Sequence, residues 1–306
     1  MSEAPSIALN RSAPPARDAA AIASRKGRRR DRMRRLGQMA PVLLLYLVGI
    51  VLPYVALARM SFNLYDPMFI FREMWSLQNY ADIFAEPYYL TVILRTIALG
   101  VSVTFFTVLL GYPLAWKIAR SGPMMRSILL SIALSPLLIN LVVRTYAWLV
   151  MLGEQGVLNQ GFSLLGLGPY SLIGGWFAVV VGMVHMTLPF MVLSLTSVMQ
   201  SLPDHLLEAS ENLGATSLRT FTHVIWPLTL PGVGAGAILV FSFTISAFVT
   251  PALLGGGTVA TVSTLIYEQF TYALNWPFGA AMVFVLLAMN MIMLALHALL
   301  FRTGDS

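Results

Sequence analysis

Cysteine is absent from this 306-residue chain, which excludes disulfides and thiolate metal sites. Charge is scarce as well: Asp, Glu, Lys and Arg make up 10% of the residues, against about 25% in a soluble domain. The four histidines (His185, His205, His223 and His297) are scattered, and none belongs to a cluster with Asp or Glu at ligand spacing. No metal site is therefore expected. No GxxxxGK[ST] stretch occurs, so any ATP chemistry has to come from a partner. The apolar runs hold His185 and Arg144 but no clustered carboxylates. That argues against an intramembrane hydrolase, and the lack of a mid-span coupling acid argues against a secondary transporter. The chain is not expected to be an enzyme.

What is present is apolar. Hydrophobic residues make up 58% of the chain, and the mean hydropathy is +0.77. This composition indicates an all-α polytopic membrane protein, built as one compact bundle. A spanning helix needs roughly 20 apolar residues, and six runs qualify: about 39–60, 90–113, 127–151, 173–199, 231–254 and 278–301. The runs are continuous rather than alternating, so a β-barrel is excluded.

The net charge of +6 is unevenly placed. Ten of the 19 basic residues lie between Arg11 and Arg35. Residues 1–37 read as a disordered basic cytoplasmic tail at an anionic membrane surface, not as a nucleic-acid-binding element or a signal peptide. The remaining segment, 38–306, reads as the transmembrane domain. With both ends inside, the cytoplasmic parts hold 15 basic residues, including Lys117, Arg120, Arg126, Arg219 and Arg302. The opposite side keeps Arg59 and Arg72 beside Asp66, Glu73, Asp82, Glu86, Glu154 and Glu268. This asymmetry places both termini and the 200–230 loop in the cytoplasm.

Pro53, Pro136 and Pro189 fall in or near the first, third and fourth spans. Each removes an intrahelical hydrogen bond and bends its helix, either as ordinary bundle packing or to open a cavity. The small residues of "GVGAGA" (232–237) open the fifth span and suit close helix packing. Arg144 is the one basic residue deep in a span: either it meets a partner or water, or it snorkels to the interface.

The 200–230 loop contains "LEASENLGA" (207–215). Pro203 and Asp204 suit a helix start, and "DHLLEASENL" holds good helix formers. Gly214 fits the C′ position, where positive φ is needed. A second short helix is expected from Ser217 as N-cap to about Ile225, before Pro227. Glu208 and Glu211 share one side of the first helix. Ala209, Ser210, Gly214 and Ala215 leave room for a surface to come close, so a soluble cytoplasmic partner is expected to dock there.

Residues 208–227, "EASENLGATSLRTFTHVIWP", resemble the EAA loop of binding-protein-dependent ABC importer permeases. Glu208, Ala209, Gly214 and Pro227 match that pattern in place, while Ser210, Val224 and Trp226 replace its Ala, Ile and Leu. "LVVRTYAWLVMLGEQGVLN" (141–159), "LPFMVLSLTSVMQSLP" (188–203), "SAFVTPALLGG" (246–256) and "NWPFGAA" (275–281) are similar to the spermidine/putrescine group, which includes opine and phosphonate permeases. The resemblance covers roughly 38–302. It implies a type I ABC importer permease (MetI-like) fold of six or so helices in the bacterial inner membrane. A second, usually different permease subunit, a cytoplasmic ABC ATPase dimer that uses ATP and Mg, and an extracytoplasmic solute-binding protein would complete the complex. Glu208 would make a polar contact to the ATPase, and Gly214 would permit the turn. The chain itself would bind no cofactor.

The substrate implied is a polyamine, or else an opine, phosphonate, amino-acid derivative or metal complex. A polyamine site needs acids and aromatic faces. Glu154 and Glu268 sit near the expected outer mouth, with Tyr146, Trp148, Tyr267 and Trp276 close in sequence. These are candidate pathway residues, or else solvated acids and interface-belt aromatics. Arg144 would favour an anion, or mark packing.

Overall fold

A computed structural model describes residue 41 and residues 44–301. The basic tail and Arg302 lie outside the described residues. So do the side chains of Asp204 and Glu211, and with them the expected Asp204 helix charge and the shared Glu208–Glu211 face. The chain divides into two compact units, Met1–Leu57 and Ala58–Ser306.

In the first unit the described residues form most of helix α1 (Leu44–Ser61), which has a π turn at Leu47–Val51. The Leu52 N–H reaches the Leu47 carbonyl, five residues back, just before Pro53. The wider turn accommodates a residue with no N–H to donate.

The second unit begins with a two-stranded antiparallel hairpin, β1 (Leu64–Asp66) and β2 (Ile70–Arg72), an addition to the all-helical expectation. Its turn is built by Asp66, whose carboxylate accepts from the N–H groups of Met68 (3.0 Å) and Phe69 (3.4 Å) and pairs with Arg72 at 2.9 Å. Asp-Pro is a turn signal that the hydropathy reading passed over. Arg59 is also satisfied locally. It donates to Asn63 Oδ1 and to the Met74 carbonyl, and its guanidinium lies 4.4 Å from the Trp75 ring centroid.

Helices follow: α2 (Gln78–Ala85), α3 (Pro87–Ala119), α4 (Pro123–Leu138), α5 (Leu141–Leu152), α6 (Val157–Leu164), α7 (Trp176–Gln200), α8 (Asp204–Asn212), α9 (Ser217–Ser246), α10 (Val249–Leu254), α11 (Val262–Thr271) and α12 (Trp276–Phe301). α3, α7 and α9 are mutual neighbours, and their core includes Leu99, Met183, Met191, Leu195 and Val240. A second cluster joins Ile83, Val92, Leu265, Phe278 and Met282 at the α2, α3, α11 and α12 contacts. The small residues of the fifth span do bring helices close. A Cβ at Gly232 would lie 2.9 Å from Val198 Cγ2, and one at Gly236 would lie 2.6 Å from Met191 Sδ. Ser194 uses that proximity to donate to the Gly232 carbonyl at 2.9 Å.

Two expected spans differ. The third, expected at 127–151 as one bent helix, is broken by 99° between α4 and α5–α6. Pro136 sits in the last turn of α4, and Asn140 starts α5 by accepting the Val142 N–H at 2.9 Å. An N-cap so close to the proline turns a kink into a break. The fifth, expected at 231–254, instead runs from Ser217 to Ser246 and is followed by the separate α10. Pro251 has no N–H for an i−4 bond to Ala247, so it is accommodated in the first turn of a new helix.

Candidate functional site

The loop between α7 and α9 is the most distinctive feature of one end of the bundle. α8 ends at Asn212, Gly214 has φ +75°, and the Ala215 N–H donates to the Ser210 carbonyl at 3.1 Å. This is the six-to-one bond of a Schellman ending, with Gly214 as C′. Glu208 and Ala209 are exposed. Ser210 faces inward: its hydroxyl bonds the Leu207 carbonyl and lies 2.9 Å from the Thr220 hydroxyl on α9. The residue that replaces alanine in the EAA pattern thus ties the two helices together instead of making room outside.

The second helix is capped by Thr216, not Ser217; its hydroxyl accepts the Arg219 N–H. Nor does this helix stop before Pro227. A π turn at Phe221–Ile225 carries it into the span, with the Trp226 N–H bonded to the Phe221 carbonyl. Pro227 then sits in the turn that follows, where the widened ladder tolerates its missing N–H.

Behind the loop lies a cavity of about 540 Å³ lined by Tyr112, Trp116, Leu207, Ala215, Thr220 and Phe221. Tyr112 packs against Phe221 (5.6 Å) and Trp226 (5.4 Å), and its hydroxyl is 2.8 Å from Thr229. The loop is thereby attached to α3 as well as to its own span. Leu213 is 87% and Leu218 73% exposed, five and ten residues after Glu208. Sequence reading missed both, because leucines in an apolar chain carry no signal until their neighbours are known.

At the far ends of α7 and α9 the named residues separate. Arg144 is 7% exposed and donates to the Pro136 carbonyl at 2.6 Å. A cation thus meets the C-terminal end of α4, where the helix dipole favours it. Trp148 donates to His185 Nδ1 at 3.2 Å, and the two line a cavity of about 380 Å³ with Phe106, Val184 and Leu188. Tyr146 and Glu154 are exposed. Trp276 is half exposed, with its ring 6.3 Å from Phe270. Glu268 lines a different recess, of about 190 Å³, with Phe248, Tyr267 and Tyr272. Among the Glu268 neighbours, sequence reading found Tyr267; Phe248 and Tyr272 come from the α9–α10 break and the end of α11. A larger cavity, about 660 Å³, is lined by Asp82, Glu86, Tyr88, Tyr89, Gln269 and Asn275.

Among the described residues, five long apolar helices plus one broken pair, with a helical loop displayed at one face, have the make-up of a multi-pass membrane protein. Residues 45–303 match the family of binding-protein-dependent transport system inner membrane components, and the chain belongs to that family. It is 33% identical over 234 residues to the spermidine/putrescine transport system permease protein PotB of Haemophilus influenzae, covering 76% of this chain and 82% of that one. It is 34% identical over 234 residues to PotB of Escherichia coli K12, covering 76% and 85%. Among solved structures, a bacterial alginate ABC transporter in complex with an alginate pentasaccharide-bound periplasmic protein has a chain with TM-score 0.74. That match covers 92% of this chain and 98% of that one at 18% identity, and so shows the same fold.

Proposed function

We propose that this chain forms half of the translocation pathway of a polyamine importer, and that α8 couples it to a cytoplasmic ABC ATPase dimer. The observation that carries the coupling is the exposed Glu208–Ala209 turn, closed by Gly214 and flanked by Leu213 and Leu218. Two exposed leucines on the same short loop as an exposed acid suit a protein cleft better than water or lipid headgroups. ATP and Mg are used by the ATPase, and this chain binds neither. A second, non-identical permease and an extracytoplasmic solute-binding protein complete the assembly. The relatives named for spermidine and putrescine support the substrate class. Glu268 and its aromatic neighbours favour a cation over an opine, a phosphonate or another anion. Arg144 is assigned to helix capping, while Tyr146, Trp148, Glu154 and Trp276 are assigned to the outer part of the pathway.

Uptake of labelled spermidine by vesicles holding the assembled complex tests the substrate, with an opine and a phosphonate as competitors. Spermidine uptake that neither competitor inhibits is the expected result; anion uptake without spermidine uptake overturns the reading. The orientation places both termini and α8 inside. The chain has no cysteine, so single cysteines at Ser12, Ser217 and Glu154 can be probed with an impermeant thiol reagent. Labelling from outside at Glu154 alone is expected, and outside labelling at either serine rejects the orientation.

A further inference from the structure

The recess beside Glu268 has a composition of its own. On α11, Thr264 and Glu268 line it four residues apart, and Tyr272 follows four residues later, so one helix face supplies all three. Tyr267 adds its ring at the same level. Phe248 stacks directly on Tyr267 with centroids 4.3 Å apart, and Tyr272 meets Tyr267 edge-on at 5.9 Å, so the three rings form one continuous aromatic wall. Pro251, Ala252 and Val259 complete an otherwise apolar wall. Among the described residues no basic side chain forms a salt bridge with Glu268. Glu268 is exposed and lines the recess beside the three rings, so its carboxylate is accessible to a ligand entering from solvent.

Each part selects for charge. Ring faces are negative, attract cations and repel anions, and the carboxylate adds a full unit of the same sign. The apolar wall suits methylene groups next to that cation. Glu73, another exposed acid, lines neither this recess nor the larger cavity that Asp82 and Glu86 share with Tyr88 and Tyr89.

We infer that this recess is a subsite for one alkylammonium group of the substrate, with Glu268 opposing its charge and Phe248, Tyr267 and Tyr272 enclosing its N–C segment. This rests on the polyamine reading above and assigns one part of that substrate to one place. The recess is smaller than the neighbouring cavity lined by Asp82 and Glu86, as a site for one end of a longer chain requires. Gln269, the next residue after Glu268, faces that larger cavity.

Two measurements on the assembled complex test the subsite. In vesicles, Glu268→Gln is expected to raise the KM for spermidine about fivefold, from the loss of an attraction worth about 1 kcal/mol in water. Tyr272→Leu, at a residue 74% exposed and so safe for folding, is expected to raise it about threefold, and Glu268→Asp to recover most of the parent value. Separately, a water-soluble carbodiimide is added with dilute spermidine. It activates carboxylates; a primary amine held against one attacks the acyl carbon and forms an amide, and the carbodiimide leaves as a urea carrying the displaced oxygen. Mass spectrometry is expected to find the spermidine amide on Glu268 several times more often than on Glu73, with parity in Tyr272→Leu. Equal labelling of the two acids in the parent, or unchanged labelling in Tyr272→Leu, overturns the subsite even when spermidine is transported. Enriched labelling of Glu268 in a complex that transports no spermidine keeps the amine site and rejects the polyamine reading instead.

Discussion

The hydroxyl of Ser210 lies 2.9 Å from the hydroxyl of Thr220, and both side chains are buried. This bond joins α8 to the start of α9 across Gly214, so the loop is one body. A double-mutant cycle of Ser210→Ala and Thr220→Val, read by thermal unfolding of the purified complex, should give a coupling of about 1 kcal/mol. Additive losses would mean that the contact contributes nothing.

Gly214 holds φ +75° in open space, so backbone conformation, not crowding, demands glycine there. Gly214→Ala is expected to cost about 1 kcal/mol and to leave part of the uptake. Gly214→Pro cannot reach positive φ and should abolish uptake in a protein that still inserts. Glu208→Lys, which reverses the charge at the proposed ATPase contact, should lose both uptake and ATPase co-purification. Parental uptake in Gly214→Pro and Glu208→Lys would remove the coupling assignment.

Arg144 satisfies the Pro136 carbonyl at the break in the third span. Arg144→Leu should lower stability by about 1.5–3 kcal/mol, the range for hydrogen bonds to charged groups, as measured by unfolding in detergent. Arg144→Lys should recover part of this, since a point charge still favours a helix C-terminus. An Arg144→Leu protein of parental stability that fails to transport would instead put this side chain in the pathway.

Asp66 has its carboxyl pKa held below the usual value, chiefly by the Met68 N–H; desolvation opposes this, and Arg72 and the Phe69 N–H add to the lowering. A depressed acid contributes stability above its unfolded pKa of about 3.9 and loses it as pH falls through the lower folded value. The hairpin turn should therefore be ordered at neutral pH and loosen below about pH 4. Hydrogen exchange at Met68 and Phe69, corrected for intrinsic rates, measures this. Asp66→Asn keeps an acceptor oxygen and should remove the pH step; a flat profile in the parent would falsify the assignment.

Much of the molecule was legible because hydropathy and punctuation agree with it. The 173–199 and 278–301 runs became α7 and α12 almost unchanged, and Gly214 took the C′ place that its position after a helix-forming run demanded. The fifth span failed because hydropathy averages over composition: residues 247–254 are as apolar as a span, yet Pro251 makes them a new helix. Ser210 was misplaced for a related reason. Its type suits an open surface, and only the fold brings Thr220 to it. The 190 Å³ recess draws its rings from the α9–α10 break and from α11 and its end, a juxtaposition that no spacing rule encodes.

The π turn at Phe221–Ile225 gives the loop an azimuth as well as a distance. One residue there is surplus to an α-helical count, because Trp226 bonds five residues back. Each residue of an α-helix corresponds to about 100° around its axis. Without the surplus residue, α8 and everything bonded to it through Ser210 would swing by about that angle about α9, and Glu208 would point in another direction. Deleting exposed Thr222 performs this rotation while leaving loop composition intact, and comparison with Thr222→Ala separates direction from chemistry. The fixed count between Gly214 and Pro227 is, in this sense, a compass setting for the partner.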